Sequence, residues 1–409
     1  MHKSNLATIF AGKFIKACLN IGMVLLIVPA VSAQYSLNII IDSLPASHSG
    51  EPVFAAGNFN GWRPDAPEYR FTETQSKLLL QITLPGATTL NFKCTRGGWD
   101  KVECAATGAD IDNRFIHVIS DTTIHISIAA WKDNWLVLPK IHTVAPGVKL
   151  IDTILEMPQL QRKRRIWVCL PPGYASSKRE YPVLYMQDGQ NLFDTYTSAY
   201  GEWGVDECLD SMITAGWPAC IIVGIEHGNE KRLSEYTPYT FRLGDDTEAQ
   251  KIEAEGRAYV NFLVETLQPF INKRYRTLAS GRNTFIAGSS MGGLIALYAM
   301  YWHPDVFGKA GVFSPSFWVS DQIKADAEKY APQLTGKLFF YIGEKEGQMH
   351  VQKMEEVASI IGEKSKAIVL SITDPDGQHN EAAWQKWFAE FYKWILADGY
   401  NVKGGIRQE

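Results

Sequence analysis

The stretch Thr284-Phe285-Ile286-Ala287-Gly288-Ser289-Ser290-Met291-Gly292-Gly293-Leu294-Ile295-Ala296-Leu297-Tyr298-Ala299-Met300-Tyr301 decides the fold. Thr284 to Ala287 is a β-branched and apolar run, which reads as a strand. Gly293 to Tyr301 reads as a helix. Between them, Gly288-Ser289-Ser290-Met291-Gly292 matches G-x-S-x-G. Three fixed letters carry little weight alone, but a strand before them and a helix after them are the context a nucleophile elbow requires. The glycines let the backbone turn sharply and keep side chains away from neighbouring chain. Ser290 is then held in a strained turn, with its hydroxyl exposed at the end of a sheet.

A serine hydroxyl is a poor nucleophile until a base takes its proton. In this chain order the base follows the last strand, with an acid between. His48, His117, His125, His142 and His227 all precede Ser290, His303 lies just beyond the elbow helix, and His350 falls in a helical stretch. His379 follows the strand-like run Ala367 to Ile372 and the loop Asp374-Pro375-Asp376-Gly377, directly before a C-terminal helix, and is the expected base. The acid is expected after Leu338 to Ile342, in Gly343-Glu344-Lys345-Glu346-Gly347. Glu346 is favoured because it lies farther from the strand, and Glu344 is the reserve. Such a carboxylate holds the imidazole in its tautomer and stabilises the imidazolium. Asp374 and Asp376 would put acid and base on one short loop and read as turn residues. A tetrahedral oxyanion needs two preorganised N–H donors. Met291 supplies one, and Gly189 or Gln190 in Asp188-Gly189-Gln190-Asn191 the other.

Outward from this centre, the chain has two textures. Residues 149–400 alternate strand-like runs with helical patterns, as in a mostly parallel sheet flanked by helices. Residues 34–132 read as short strands separated by Gly- and Asn-rich turns, as in an all-β sandwich. A linker with Pro139 and Pro146 is expected at 133–148, and a tail at 401–409. Residues 1–33 read as a signal peptide: Lys3, Lys13 and Lys16 precede the apolar run Ile21 to Val28, and Val31-Ser32-Ala33 offers a cleavage site. That run is too short to span a bilayer, so an exported protein, periplasmic or extracellular, is expected. The net charge of -4 leaves no basic face for nucleic acid. The one basic run, Arg162 to Arg165, reads as a solvated turn. Of five Cys after residue 33, Cys94 and Cys104 flank a hairpin and are candidates to pair. There is no CxxC or HExxH, so no metal site is expected, and no cofactor is called for.

Several segments together resemble the esterase D and enterochelin-esterase-like branch of the α/β-hydrolases. They are Leu170-Pro171-Pro172-Gly173-Tyr174, Tyr185-Met186-Gln187-Asp188-Gly189-Gln190-Asn191-Leu192-Phe193, Gly288 to Gly293, Ser314-Pro315-Ser316-Phe317-Trp318, and His379 before the last helix. The resemblance spans about Val148 to Ala397. It implies an α/β-hydrolase with a Ser–acid–His triad, acting on acylated sugars, feruloyl esters or siderophore lactones. It also supports the loop after Asp188-Gly189 as an oxyanion contributor. Many relatives carry Asp as the acid, where this chain offers Glu. Arg232-Leu233-Ser234-Glu235-Tyr236-Thr237-Pro238 resembles a further family segment near the site, lining the cleft or bracing it with an Arg–Glu pair. In the N-terminal part, Phe54-Ala55-Ala56-Gly57-Asn58-Phe59-Asn60-Gly61-Trp62 and Phe92-Lys93-Cys94-Thr95-Arg96-Gly97-Gly98-Trp99 resemble glycogen- and starch-binding modules of the AMP-activated kinase type. That resemblance implies a glycan grip by Trp62, Lys93 and Trp99. The alternative is a domain that keeps the fold but packs on the hydrolase as a lid, with both Trp residues buried.

The expectation is a secreted serine ester hydrolase working on acylated glycans or feruloyl-type esters through an acyl-enzyme. A siderophore lactone is the alternative substrate. An acyltransferase with the same triad and a non-catalytic glycan-binding protein on a hydrolase scaffold are the competing classes.

Overall fold

The computed structural model describes residues 34–74, 77–135, 141–151, 154–243 and 250–396, and the backbone of 406–408. The expected signal peptide lies outside them. The described residues form two compact units, one of 34–58 with 62–135, the other of 59–61 with the residues from 141 onward. Among the described residues no helix is long and apolar enough to cross a membrane.

The first unit is a small β-sandwich. One sheet has the order Thr72–Thr74, Lys77–Leu84, Tyr35–Ser43, Thr122–Ser127, and another the order Phe54–Gly57, Thr88–Thr95, Arg114–Val118. Successive strand residues point to opposite faces, so Leu37, Ile39 and Ile41 are buried from one sheet and Leu90, Phe92 and Cys94 from the other. Cys94 and Cys104 are both free thiols, contrary to the pairing considered above. The Glu103 carboxylate accepts the Cys94 N–H at 2.7 Å. Cys104, next along the same strand, points to the opposite face.

The second unit is an α/β-hydrolase built on a nine-stranded sheet. In chain order its strands are β1 (Val148–Leu150), β2 (Ile166–Cys169), β3 (Val183–Gln187), β4 (Ile221–Ile225), β5 (Thr284–Ser289), β6 (Lys309–Phe313), β7 (Lys337–Gly343), β8 (Ile368–Asp374) and β9 (Ile406–Gln408). Their spatial order is β1-β2-β4-β3-β5-β6-β7-β8-β9, and β4 through β8 are mutually parallel. Both faces of these parallel strands are covered, which is why they read as continuous apolar runs. Ile286, Val312, Phe340 and Ile342 face one core. Phe285, Phe313, Phe339 and Tyr341 face the other. The covering helices include α1 (Val205–Thr214), α2 (Met291–Trp302), α3 (Gln348–Lys364) and α4 (Glu381–Leu396).

Three expectations change here. Arg162–Arg164 is a strand paired with Leu155–Met157, not a solvated turn. Arg164 is buried and grips the fully buried Glu235 at 2.7 and 2.8 Å, while Arg162 reaches both Glu235 and Glu255. Buried carboxylates need such counter-charges. The second half of the expected linker is held to the catalytic unit: Thr143 N–H donates to Asp194 Oδ1 at 3.1 Å and Ala145 N–H to Asp206 Oδ2 at 2.7 Å. From the expected tail, Ile406–Gln408 pairs antiparallel with β8.

Candidate active site

Because β3 to β8 run parallel, every loop that follows them emerges at the same edge of the sheet, where ligands bind in open α/β folds. Ser290 follows β5, Ser314 and Ser316 follow β6, Glu346 follows β7 and His379 follows β8. Residues far apart in sequence therefore share one edge: Glu346 meets His379 and Ser314, and Ser290 meets Ser316, while among the described residues no hydrogen bond joins Ser290 to His379.

Ser290 links β5 to α2 with φ 58° and ψ -125°, a conformation that costs a non-glycine residue about 1–3 kcal/mol. The turn is held by Ser290 N–H to Phe313 O at 2.9 Å and by Ser316 N–H to Ser290 O at 3.1 Å. A Cβ on Gly288 would lie 2.7 Å from the Gly292 carbonyl, so strand and helix approach this closely only with glycine there. The Ser290 hydroxyl lies 3.2 Å from the Ser316 hydroxyl.

His379 Nδ1 lies 2.6 Å from Glu346 Oε2. The imidazole side chain is 45% exposed and the Glu346 side chain 4%, so the ring opens to solvent while its carboxylate does not. The Glu346 Oε1 atom accepts the Gly343 N–H at 2.9 Å and the Ser314 hydroxyl at 2.6 Å. Burial raises the Glu346 pKa, but hydrogen bonds from His379, Ser314 and Gly343 outweigh it, and the carboxyl stays below the usual glutamate value. Glu344 is exposed, and no contact to His379 is among its interactions. The Trp384 ring meets the imidazole edge-on, centroids 5.2 Å apart at 83°.

Met291 opens α2, so its N–H has no intrahelical acceptor. Gly189–Asn191 forms a tight turn after β3. Gly189 lies against β4, and a Cβ there would come within 2.6 Å of the Gly224 backbone. Asn191 and Leu192 donate to Asp188 and Gly189 carbonyls; the Gly189 and Gln190 amides have no acceptor among the described residues. The turn is anchored by Asp188, itself left-handed at φ 56°, whose carboxylate takes Arg232 Nε at 2.7 Å and a second guanidinium nitrogen at 2.8 Å. The Arg232 guanidinium also lies over Tyr236, 5.3 Å from the ring centroid. Arg232 thus braces the site through Asp188, while Glu235 serves Arg162 and Arg164.

Sequence reasoning passed over Glu381, Ser314 and Ser316 as site residues. Glu381 opens α4, is buried, and accepts Asn191 Nδ2 at 3.4 Å; burial pushes its carboxyl up. Its signal was an acid two residues after His379, at the first position of the C-terminal helix. In the first unit, Trp62 and Trp99 meet with centroids 6.2 Å apart, Trp99 is 44% exposed, and Lys93 is half-buried on the strand Thr88–Thr95. Neither indole is packed away in the sandwich core.

Residues 158–395 match the family described as "Putative esterase". The uncharacterized protein YbbA of Bacillus subtilis is 27% identical over 243 residues, covering 57% of this chain and 92% of that protein. The endo-1,4-beta-xylanase/feruloyl esterase of Xylanibacter ruminicola is 26% identical over 225 residues, 54% of this chain and 27% of that protein. The siderophore enterobactin esterase of Emericella nidulans is 30% identical over 168 residues, 39% of this chain and 54% of that protein. This chain thus spans about a quarter and about half of the last two. Among solved structures, the BES protein from Bacillus cereus aligns with a TM-score of 0.52 at 16% identity, over 64% of this chain and 99% of that one, a likeness of fold.

Proposed function

The chain belongs to this esterase family and is a serine carboxylic-ester hydrolase, and from that premise we propose that Ser290 is its nucleophile, His379 its general base and Glu346 the acid that orients the base. The observation that carries the reading is the 2.6 Å contact of His379 Nδ1 with a buried carboxylate, at the sheet edge where the strained Ser290 emerges. Glu346 fixes the proton on Nδ1 and leaves Nε2 to take the Ser290 proton as Oγ attacks the ester carbon. The Met291 amide and an amide of Gly189 or Gln190 stabilise the oxyanion. His379 returns the proton to the leaving alcohol, and water, activated in the same way, releases the acyl group.

Feruloyl-type esters of glycans are the substrates this reading favours, and an exported protein is where it meets them. Trp318 is 38% exposed, two residues from Ser316, and is backed edge-on by Phe241 at 5.7 Å and 87°. An indole so placed offers a flat face to an aryl acyl group. The exposed Trp99 beside Trp62 suits a sugar face on the first unit, with Lys93 as a donor. The apolar run Ile21 to Val28 behind Lys3, Lys13 and Lys16 supports export.

The test is hydrolysis of methyl ferulate and 4-nitrophenyl acetate by wild type and Ser290→Ala. The expected loss of kcat is about a thousandfold or more; equal rates would remove the reading. Faster cleavage of a lactone siderophore than of methyl ferulate would move the substrate to that class. Products of transfer to an added alcohol would make the protein an acyltransferase. Retention on an amylose column, lost on replacing Trp62 and Trp99 by Ala, tests the glycan grip.

A further inference from the structure

We propose that Ser314 is a positioning residue: its hydroxyl, aimed by the Trp384 indole, holds one oxygen of Glu346 so that the other faces His379. The inference rests on the roles given above to Ser290, His379 and Glu346, and adds a residue that they do not include.

Ser314 follows β6, is buried, and has φ 42°, in the left-handed region that side chains rarely adopt. Its N–H donates to Tyr341 O at 2.6 Å, tying the end of β6 to β7. Its hydroxyl lies between two groups, Trp384 Nε1 at 2.9 Å and Glu346 Oε1 at 2.6 Å. An indole N–H can only donate, so it occupies a lone pair of the hydroxyl. The single hydroxyl proton is then left for the carboxylate, at a length typical of a charge-assisted O–H···O⁻ bond. The direction of this hydrogen-bond chain is therefore fixed: Trp384 to Ser314 to Glu346.

Gly343 N–H donates to the same oxygen at 2.9 Å. With Oε1 held by two donors, the carboxylate cannot rotate freely, and Oε2 is presented to Nδ1. Trp384 serves twice, since its ring edge also braces the imidazole. Glycine would meet the backbone requirement at 314 without strain, yet has no hydroxyl. A strained serine with both hydrogen-bonding directions in use points to a role for the hydroxyl.

The experiment is steady-state hydrolysis of 4-nitrophenyl acetate across pH by the full chain, comparing Ser314→Gly, Ser314→Thr, Trp384→Phe and the Gly/Phe double variant. Ser314→Gly should lower kcat about ten- to a hundredfold, the range for a group that orients a working side chain, with KM nearly unchanged. It should also move the acid limb of kcat/KM to higher pH, because a carboxylate that loses a donor binds protons more tightly and concentrates its charge on the imidazolium. Ser314→Thr should recover most of the activity. Trp384→Phe should give a smaller loss, and the double variant should be no worse than Ser314→Gly, since phenylalanine keeps an aromatic ring beside the imidazole and removes only the N–H that acts through the Ser314 hydroxyl. If the branched threonine is not tolerated at this φ, the Gly and Phe variants decide alone.

Wild-type kcat in Ser314→Gly, or a loss of kcat with an unmoved acid limb, would overturn the proposal. Glu346→Gln in the same assay separates the two levels. Full activity there would remove the acid assignment itself, whereas an impaired Glu346→Gln beside a silent Ser314 series would remove only this inference.

Discussion

Two carboxylates end neighbouring strands, Glu346 after β7 and Asp374 at the end of β8. Both side chains are buried, 4% and 7% exposed, and both are tied to α4, Asp374 directly and Glu346 through Ser314. Trp384 and Trp387, one turn apart on that helix, each serve one of them. Burial raises both pKa values and hydrogen bonds more than reverse it, so each carboxyl lies below its usual range. The difference is in where the oxygens are committed. Asp374 Oδ2 takes Trp387 Nε1 at 2.7 Å and Lys386 Nζ at 2.9 Å, and Oδ1 takes the Asp376 N–H at 3.2 Å. Both oxygens are used up in fastening the helix and its turn. Glu346 concentrates its structural bonds on Oε1 and keeps Oε2 for an imidazole. A depressed pKa is thus common to a fastening acid and a candidate catalytic one; the oxygen given over to an imidazole separates them.

The sharpest way to break this comparison is to neutralise each acid in turn. Glu346→Gln should reduce kcat by about 10³- to 10⁴-fold, as expected when an imidazole loses the carboxylate that sets its tautomer, and steady-state kinetics reads it. Asp374→Asn should leave kcat close to wild type and instead cost about 1–2 kcal/mol of stability in urea unfolding, the scale of a lost charge-assisted hydrogen bond. A large kinetic effect there would mean that the two acids are not divided as described. Acid titration of stability sharpens the same division. Both folded pKa values are depressed, so both groups contribute stability above their unfolded values, and that contribution is lost as pH falls below the usual 4.5 and 3.8. The urea midpoint should fall through that window in the wild type, and fall less in either variant. The smallest effect belongs to the exposed Glu344, whose change to Gln should alter neither kcat nor unfolding.

The parts of this arrangement legible in the sequence were those with local punctuation. The elbow announced itself because a strand, paired glycines and a helix are contiguous. The position of His379 after β8, in contact with Glu346, followed from chain order, and the Asp374–Asp376 turn from its Pro and Gly. What escaped was decided by contacts between distant side chains. Ser314 meets partners 32 and 70 residues away, and nothing in Ser314-Pro315-Ser316 says which way its hydroxyl points. The run Arg162–Arg164 looked solvated because its counter-charges, Glu235 and Glu255, arrive from a separate segment. Cys94 and Cys104 looked like partners across a turn until strand parity set them on opposite faces.

The bond between the Ser290 and Ser316 hydroxyls ties the elbow to the segment that follows β6. Together with the Ser290 N–H to Phe313 O and Ser316 N–H to Ser290 O bonds, it clasps the bend at three points from a neighbouring strand, so the cost of that backbone shape is borne by β6 and not by the bend's own residues.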